Sequence, residues 1–228
     1  MPRTRTFAQL REETRQYADM ESSAFVSDEE VGRLVNQGLA ELWHVLVQGD
    51  ITRYAARTEI GTTAGTYEYV VPDDFASALH LEKLEASGSE RAYRIEPFDL
   101  GDGHHGERSW YMARRGLRWT ILYQGADGTG TRLRFNGDPG SEFFRLWYIA
   151  APTVLSLDDD EWDGVAGWES WAALWAAEQL MAKEESDPSA LIRRRSEMTT
   201  RMRTVAGSRI AGSAPSISRA RNRRGGFR

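Results

Sequence analysis

The sequence predicts an α+β protein, with a helical bundle formed by N- and C-terminal helices, an inserted antiparallel β domain, and an extended C-terminal arm. Three observations predict it. Apolar residues recur at helical spacing near both ends of the chain, and β-type runs broken by glycine fill the middle. The charge then reverses. Residues 188–228 hold eleven arginines and one acid, Glu197, a formal +10, which leaves −15 for the rest of a 228-residue chain whose total is −5.

This length suits one sizeable core, or a core carrying an inserted subdomain. There is no cysteine, so no disulfide, thiol nucleophile or cysteine-containing zinc site exists, and hydrophobic packing must hold the fold. Eight tryptophans, eight tyrosines and eight phenylalanines supply the apolar area for that packing and argue against disorder in the body. No apolar run is long enough for a membrane span. The N-terminal Met1-Pro-Arg-Thr-Arg5 lacks the apolar stretch of a signal peptide, so synthesis in the cytoplasm is expected, with no membrane partner.

Phe7, Leu10, Thr14 and Tyr17 repeat at helical spacing and predict a first amphipathic helix over residues 6–18. After a loop, Ser27 stands three residues before Glu30, the spacing of a capping box, with Val26 and Val31 placed as a hydrophobic staple. The stripe Val31, Leu34, Val35, Leu39, Leu42 and Leu46 then predicts a second helix ending near Gly49, packed on the first as a hairpin. Together they make a first segment, residues 1–56.

Residues 57–152 read as the inserted domain. Strand-like runs cover residues 67–71, 115–123, 131–135 and 143–149, and glycine-rich breaks at residues 125–130 and 136–140 separate them, predicting one antiparallel sheet. Val71-Pro-Asp-Asp-Phe75 is the end of a strand followed by a turn.

Residues 153–207 return to helical spacing and complete the bundle. The acids of Leu157-Asp-Asp-Asp-Glu-Trp-Asp163 are expected to precede a helix and favour its positive end. Trp168, Trp171 and Trp175 share one helical face, as core or intersubunit surface together with Val31, Leu34, Leu39 and Leu42. A last helix is expected to open with Asp187 as N-cap and Pro188 in its first turn. Its narrow stripe of Leu191, Met198, Met202 and Val205 stops at Gly207. Residues 208–228, rich in Gly, Ser and Arg, form the extended basic arm.

Chemistry-bearing patterns are sparse. His104 and His105, with Asp102 and Glu107, offer adjacent ligands on a loop, which rarely place two on one metal; a solvated loop accounts for them. The acids at 158–161 lack the alternation and glycine of a calcium loop. No phosphate-binding glycine loop, nucleophile elbow or dinucleotide fingerprint occurs, so neither an enzymatic role nor a cofactor is expected. From charge alone, the arginine arm suits a nucleic acid or an acidic protein.

The chain resembles the head-to-tail adaptor, or head-completion connector, proteins of tailed bacteriophages. The resemblance is carried by Leu10-Arg-Glu-Glu-Thr-Arg-Gln-Tyr-Ala-Asp-Met-Glu21, by Phe25-Val-Ser-Asp-Glu-Glu-Val-Gly-Arg-Leu-Val-Asn-Gln-Gly-Leu-Ala-Glu-Leu-Trp43, by Val71-Pro-Asp-Asp-Phe75 and by Lys183-Glu-Glu-Ser-Asp187. It implies a structural virion protein at the head-tail interface: a homo-oligomeric ring of about twelve copies beneath the portal protein, with a tail, stopper or tail-terminator protein below. Genomic DNA would pass through its channel without specific binding. Arg219, Arg221, Arg223, Arg224, Phe227 and Arg228 are then the portal-docking residues, with Arg209 and Ile217 as weaker members. The alternatives are a non-specific DNA-binding protein using the arginine tail and, third, a cell-wall-degrading virion enzyme.

Overall fold

A computed structural model describes residues 4–21, 25–49, 51–99, 116–123, 130–162 and 167–210. The chain forms two compact units, one from residues 1–50 and 157–228, the other from residues 51–156. The fold is α+β, with helices in the first unit and antiparallel sheets in the second.

The helical unit contains α1 (Phe7–Tyr17), α2 (Asp28–Gly49), α3 (Ser170–Lys183) and α4 (Ser189–Ile210). Helix α3 packs against the other three. It can do so because its surface is small and apolar nearly all round: Trp171, Ala172, Ala173, Leu174, Ala176, Ala177 and Leu180 are all buried, the pattern of a helix enclosed by neighbours. Where α2 crosses α3, a Cβ on Gly38 would lie 2.7 Å from the Ala172 carbonyl oxygen, so only glycine permits this approach.

Helix ends follow local chemistry. Thr6 caps α1 reciprocally with Gln9: the Gln9 N–H donates to Thr6 Oγ1 at 3.3 Å, and the Thr6 N–H donates to Gln9 Oε1 at 3.2 Å. At α2 the Glu30 N–H donates to Ser27 Oγ, and Val26 and Val31 are buried as the staple requires. The Glu30 carboxylate turns to Lys183 Nζ, 2.7 Å away. Helices α1 and α3 end in Schellman motifs. The Asp19 and Met20 N–H groups donate to the Gln16 and Arg15 carbonyls, and those of Glu185 and Ser186 to Ala182 and Met181. The residues that turn the chain, Asp19 and Glu185, hold φ of 57° and 60°, the left-handed region usually left to glycine.

Two expectations for this unit are corrected. The acids at 158–161 do not open α3, which starts nine residues later at Ser170. They form a turn against α1: the Asp160 and Asp158 carbonyls accept from the Phe7 and Ala8 N–H groups, and the Asp158 carboxylate pairs with Arg11. Their charge therefore complements the positive end of α1, a partner set by tertiary contact. Trp168 accordingly precedes α3 instead of lying within it. In addition, α4 runs to Ile210, three residues past Gly207. One helical glycine costs only about 1 kcal/mol and does not end it.

The second unit contains β1 (Ala55–Gly61), β2 (Glu68–Val70), β3 (Phe75–Leu84), β4 (Ala92–Ile95), β5 (Trp119–Leu122), β6 (Arg132–Phe135) and β7 (Phe143–Ala150), after a short 3-10 turn at Ile51–Tyr54. Where one sheet was expected there are two: β1-β7-β3-β4 and β2-β6-β5, antiparallel throughout. Period-two alternation places Phe144, Leu146 and Tyr148 of β7 and Leu81 of β3 in one core with Trp119, Leu133 and Phe135 of the smaller sheet. The Phe135 and Phe144 rings meet there at 4.8 Å between centroids. A parallel bridge between Pro97 and Trp119 joins the end of β4 to β5, and the Trp119 indole N–H donates to the Ile95 carbonyl at 2.8 Å.

Candidate functional site

Val31, Leu39, Leu42 and Trp171 are buried, whereas Leu34, Trp168 and Trp175 are half-buried. Trp171 joins α3 to α4: its indole N–H donates to Thr199 Oγ1 at 2.8 Å, and the Arg195 guanidinium lies over its ring at 5.0 Å. Arg195 also pairs with the buried Glu178 at 2.7 Å. This arginine is structural, although it counts toward the basic surplus of the C-terminal segment.

Glu169, just before α3, is fully buried. Its Oε2 accepts from the Gly167 N–H at 2.8 Å, while Oε1 has no partner among the described residues. Burial raises the carboxyl above its ordinary value, opposed by backbone N–H donors and by Arg5. Arg5 itself donates to Glu13 and to Ser170 Oγ, tying the start of α1 to the start of α3.

Among the described residues no cluster of three or more metal-binding side chains occurs, and no helix is long and apolar enough to cross a membrane. His104 and His105 lie outside the described residues. So do Ile217, Arg219, Arg221, Arg223, Arg224, Phe227 and Arg228. Arg209 falls in the last turn of α4, not in an extended arm.

The charge of the helical unit is unevenly placed. Residues 1–50 and 157–187 of the helical unit carry nineteen acids and six basic residues, a formal −13, whereas the β unit is nearly balanced at fourteen against twelve. On this acidic unit, α4 turns Met198 and Met202 inward and leaves Arg193, Arg201 and Arg203 exposed. These three arginines have no ion-pair partner among the described residues. Their signal was in the sequence, because they lie off the Leu191-Met198-Met202-Val205 stripe.

The family model of the SU10 adaptor protein matches residues 5–224, a span that includes both units and most of the basic C-terminal segment. The chain belongs to this family of phage head-to-tail adaptors. No curated protein matches it.

Adaptor function is structural and is exercised in the virion, between portal and tail proteins. The functional surfaces of the adaptor are therefore docking faces.

Proposed function

We propose that the adaptor assembles as a ring of about twelve copies beneath the portal. In this reading it docks to the portal through its basic C-terminal segment, and it provides both the attachment site for the tail and a channel for DNA. The observation that carries the reading is the match over residues 5–224 to an adaptor family, joined to a charge reversal confined to the chain's end. Arg219, Arg221, Arg223, Arg224 and Arg228 are suited to bidentate contacts with carboxylates on a portal surface, and Phe227 supplies an apolar anchor among them. Weak contacts repeated around a ring reinforce one another. An acidic body meanwhile repels the phosphates of DNA passing through it.

The test is co-sedimentation of the full chain with the portal protein of its own phage, against a truncation ending at Ile210 that preserves α4. Portal binding by the full chain, lost in the truncation, is expected. Equal binding by both would remove the arm from the docking role. Retention of the full chain on duplex DNA with no affinity for the portal would favour the DNA-binding alternative, in which case retention should fall steeply with salt.

A further inference from the structure

We infer that neighbouring copies in the ring are joined by the outer face of α4, which docks on the acidic end of the next copy's helical unit. This rests on the ring reading above and names the surfaces that would make it. The basic face consists of Arg193, Arg201 and Arg203, exposed and without ion pairs among the described residues. Arg203 lies ten residues beyond Arg193, about 15 Å along the helix at the usual rise per residue. Between them Ser196, Glu197, Thr200 and Thr204 are exposed; Glu197, four residues from both Arg193 and Arg201, is the one acid on this face, and both threonine hydroxyls donate back to carbonyls one turn earlier.

The complement lies on the same unit. The Lys183–Glu30 ion pair at 2.7 Å brings the end of α3 beside the start of α2. Exposed Glu29, Glu184 and Glu185 gather there, and none has a cation partner among the described residues. Phe25, 56% exposed, sits at this end under the Lys183 ammonium at 4.9 Å. Acidic end and basic face are different patches of one molecule. Their pairing is thus head-to-tail, the kind of contact that closes into a ring when the rotation between copies permits. A unit whose other residues sum to −13 would repel its own copies unless the basic helix lay between them. Single exposed ion pairs contribute little. Several at each of many repeated interfaces are multivalent, and they weaken as salt shortens the Debye length.

A charge-swap experiment on the full chain tests this. One variant reverses the basic face (R193E, R201E, R203E) and the other reverses the acidic end (E29K, E184K, E185K). Sedimentation velocity at low ionic strength should show self-association of the wild type that is lost in added salt. Each variant alone should sediment as a monomer. An equimolar mixture should recover the assembly, because every basic surface then again faces an acidic one, and that recovery also shows that both variants fold. Variants that assemble like the wild type, or a mixture that stays monomeric, would overturn the proposal. So would a wild type that remains monomeric throughout, whereas the adaptor reading is judged separately by portal binding. If reversing the basic face abolishes retention on duplex DNA but leaves self-association intact, those arginines grip phosphate and the interface is wrong.

Discussion

Arg145 and Glu169 are both buried charges, but their surroundings place them on opposite sides of the balance between pairing and desolvation. Arg145 on β7 is 4% exposed and donates to the Ser89 carbonyl at 2.8 Å and to Glu59 at 3.4 Å, with Glu90 at 3.6 Å. It holds the loop after β3 against β1. Arg145→Leu removes these contacts and releases that loop, and it should cost about 2 kcal/mol, the scale of a hydrogen bond from a buried charged donor to the Ser89 carbonyl. The urea midpoint would report the loss. The Glu59 carboxyl, kept below its ordinary value first by the Gly88 N–H and then by Arg145, should shift upward in the same variant, as NMR titration can show.

Glu169 gains less from its surroundings. Burial raises its carboxyl, so the folded state binds the proton more tightly than the unfolded chain. Between the ordinary carboxylate value of 4.5 and the raised folded value, stability therefore falls as pH rises. Glu169→Gln keeps an oxygen to accept from the Gly167 N–H and removes the buried charge. It should be at least as stable as the wild type at neutral pH and should flatten the pH dependence in that window. Denaturation curves at a series of pH values decide this; a large loss of stability at neutral pH would mean that the charge is well compensated by Arg5.

At the scale of the element, glycine and its absence produce opposite predictions. Gly38→Ala adds helix propensity of about 1 kcal/mol, yet it drives a methyl to 2.7 Å from the Ala172 carbonyl oxygen on a buried backbone. Overpacking of this kind typically costs 1–3 kcal/mol. The variant should therefore be about 1 kcal/mol less stable, and a smaller loss would mean that α2 and α3 can separate slightly. Glu185, at the left-handed position closing α3, is the reverse case. Glu185→Gly should stabilise by about 1 kcal/mol through relief of the side-chain clash in that conformation, read as a raised Tm.

Helices α1 and α2 were legible because caps and stripes are local. Strands β2, β5, β6 and β7 had recognisable runs. Strand β3 did not, because register shifts between Phe75 and Ser77 and between Ala78 and His80 break its alternation, and polar His80, Glu82 and Lys83 occupy its second half. Edge strand β1, Ala-Ala-Arg-Thr-Glu-Ile-Gly, has too few large apolar residues to announce itself. The acids at 158–161 were visible, but the helix end they serve is 150 residues away in sequence. No local rule could assign it.

At the scale of the whole molecule, the inserted β unit can be separated in principle from the helices that flank it. It has its own core between two sheets. Its first and last strands, β1 and β7, are neighbours with Ala55 opposite Ile149, so the insert enters and leaves side by side. A chain segment whose ends are already paired needs no helical scaffold to bring them together, which lowers the loop-closure cost of folding alone. The segment 51–156 expressed by itself should therefore unfold cooperatively in urea, with the near-ultraviolet signal of Trp119 packed in its core. Its exposed tyrosines, Tyr67, Tyr93 and Tyr123, should remain accessible to modification in both the excised segment and the full chain. An excised segment without a cooperative transition would mean that the helical unit supplies stability the sheets lack, and the adaptor would then unfold as one body.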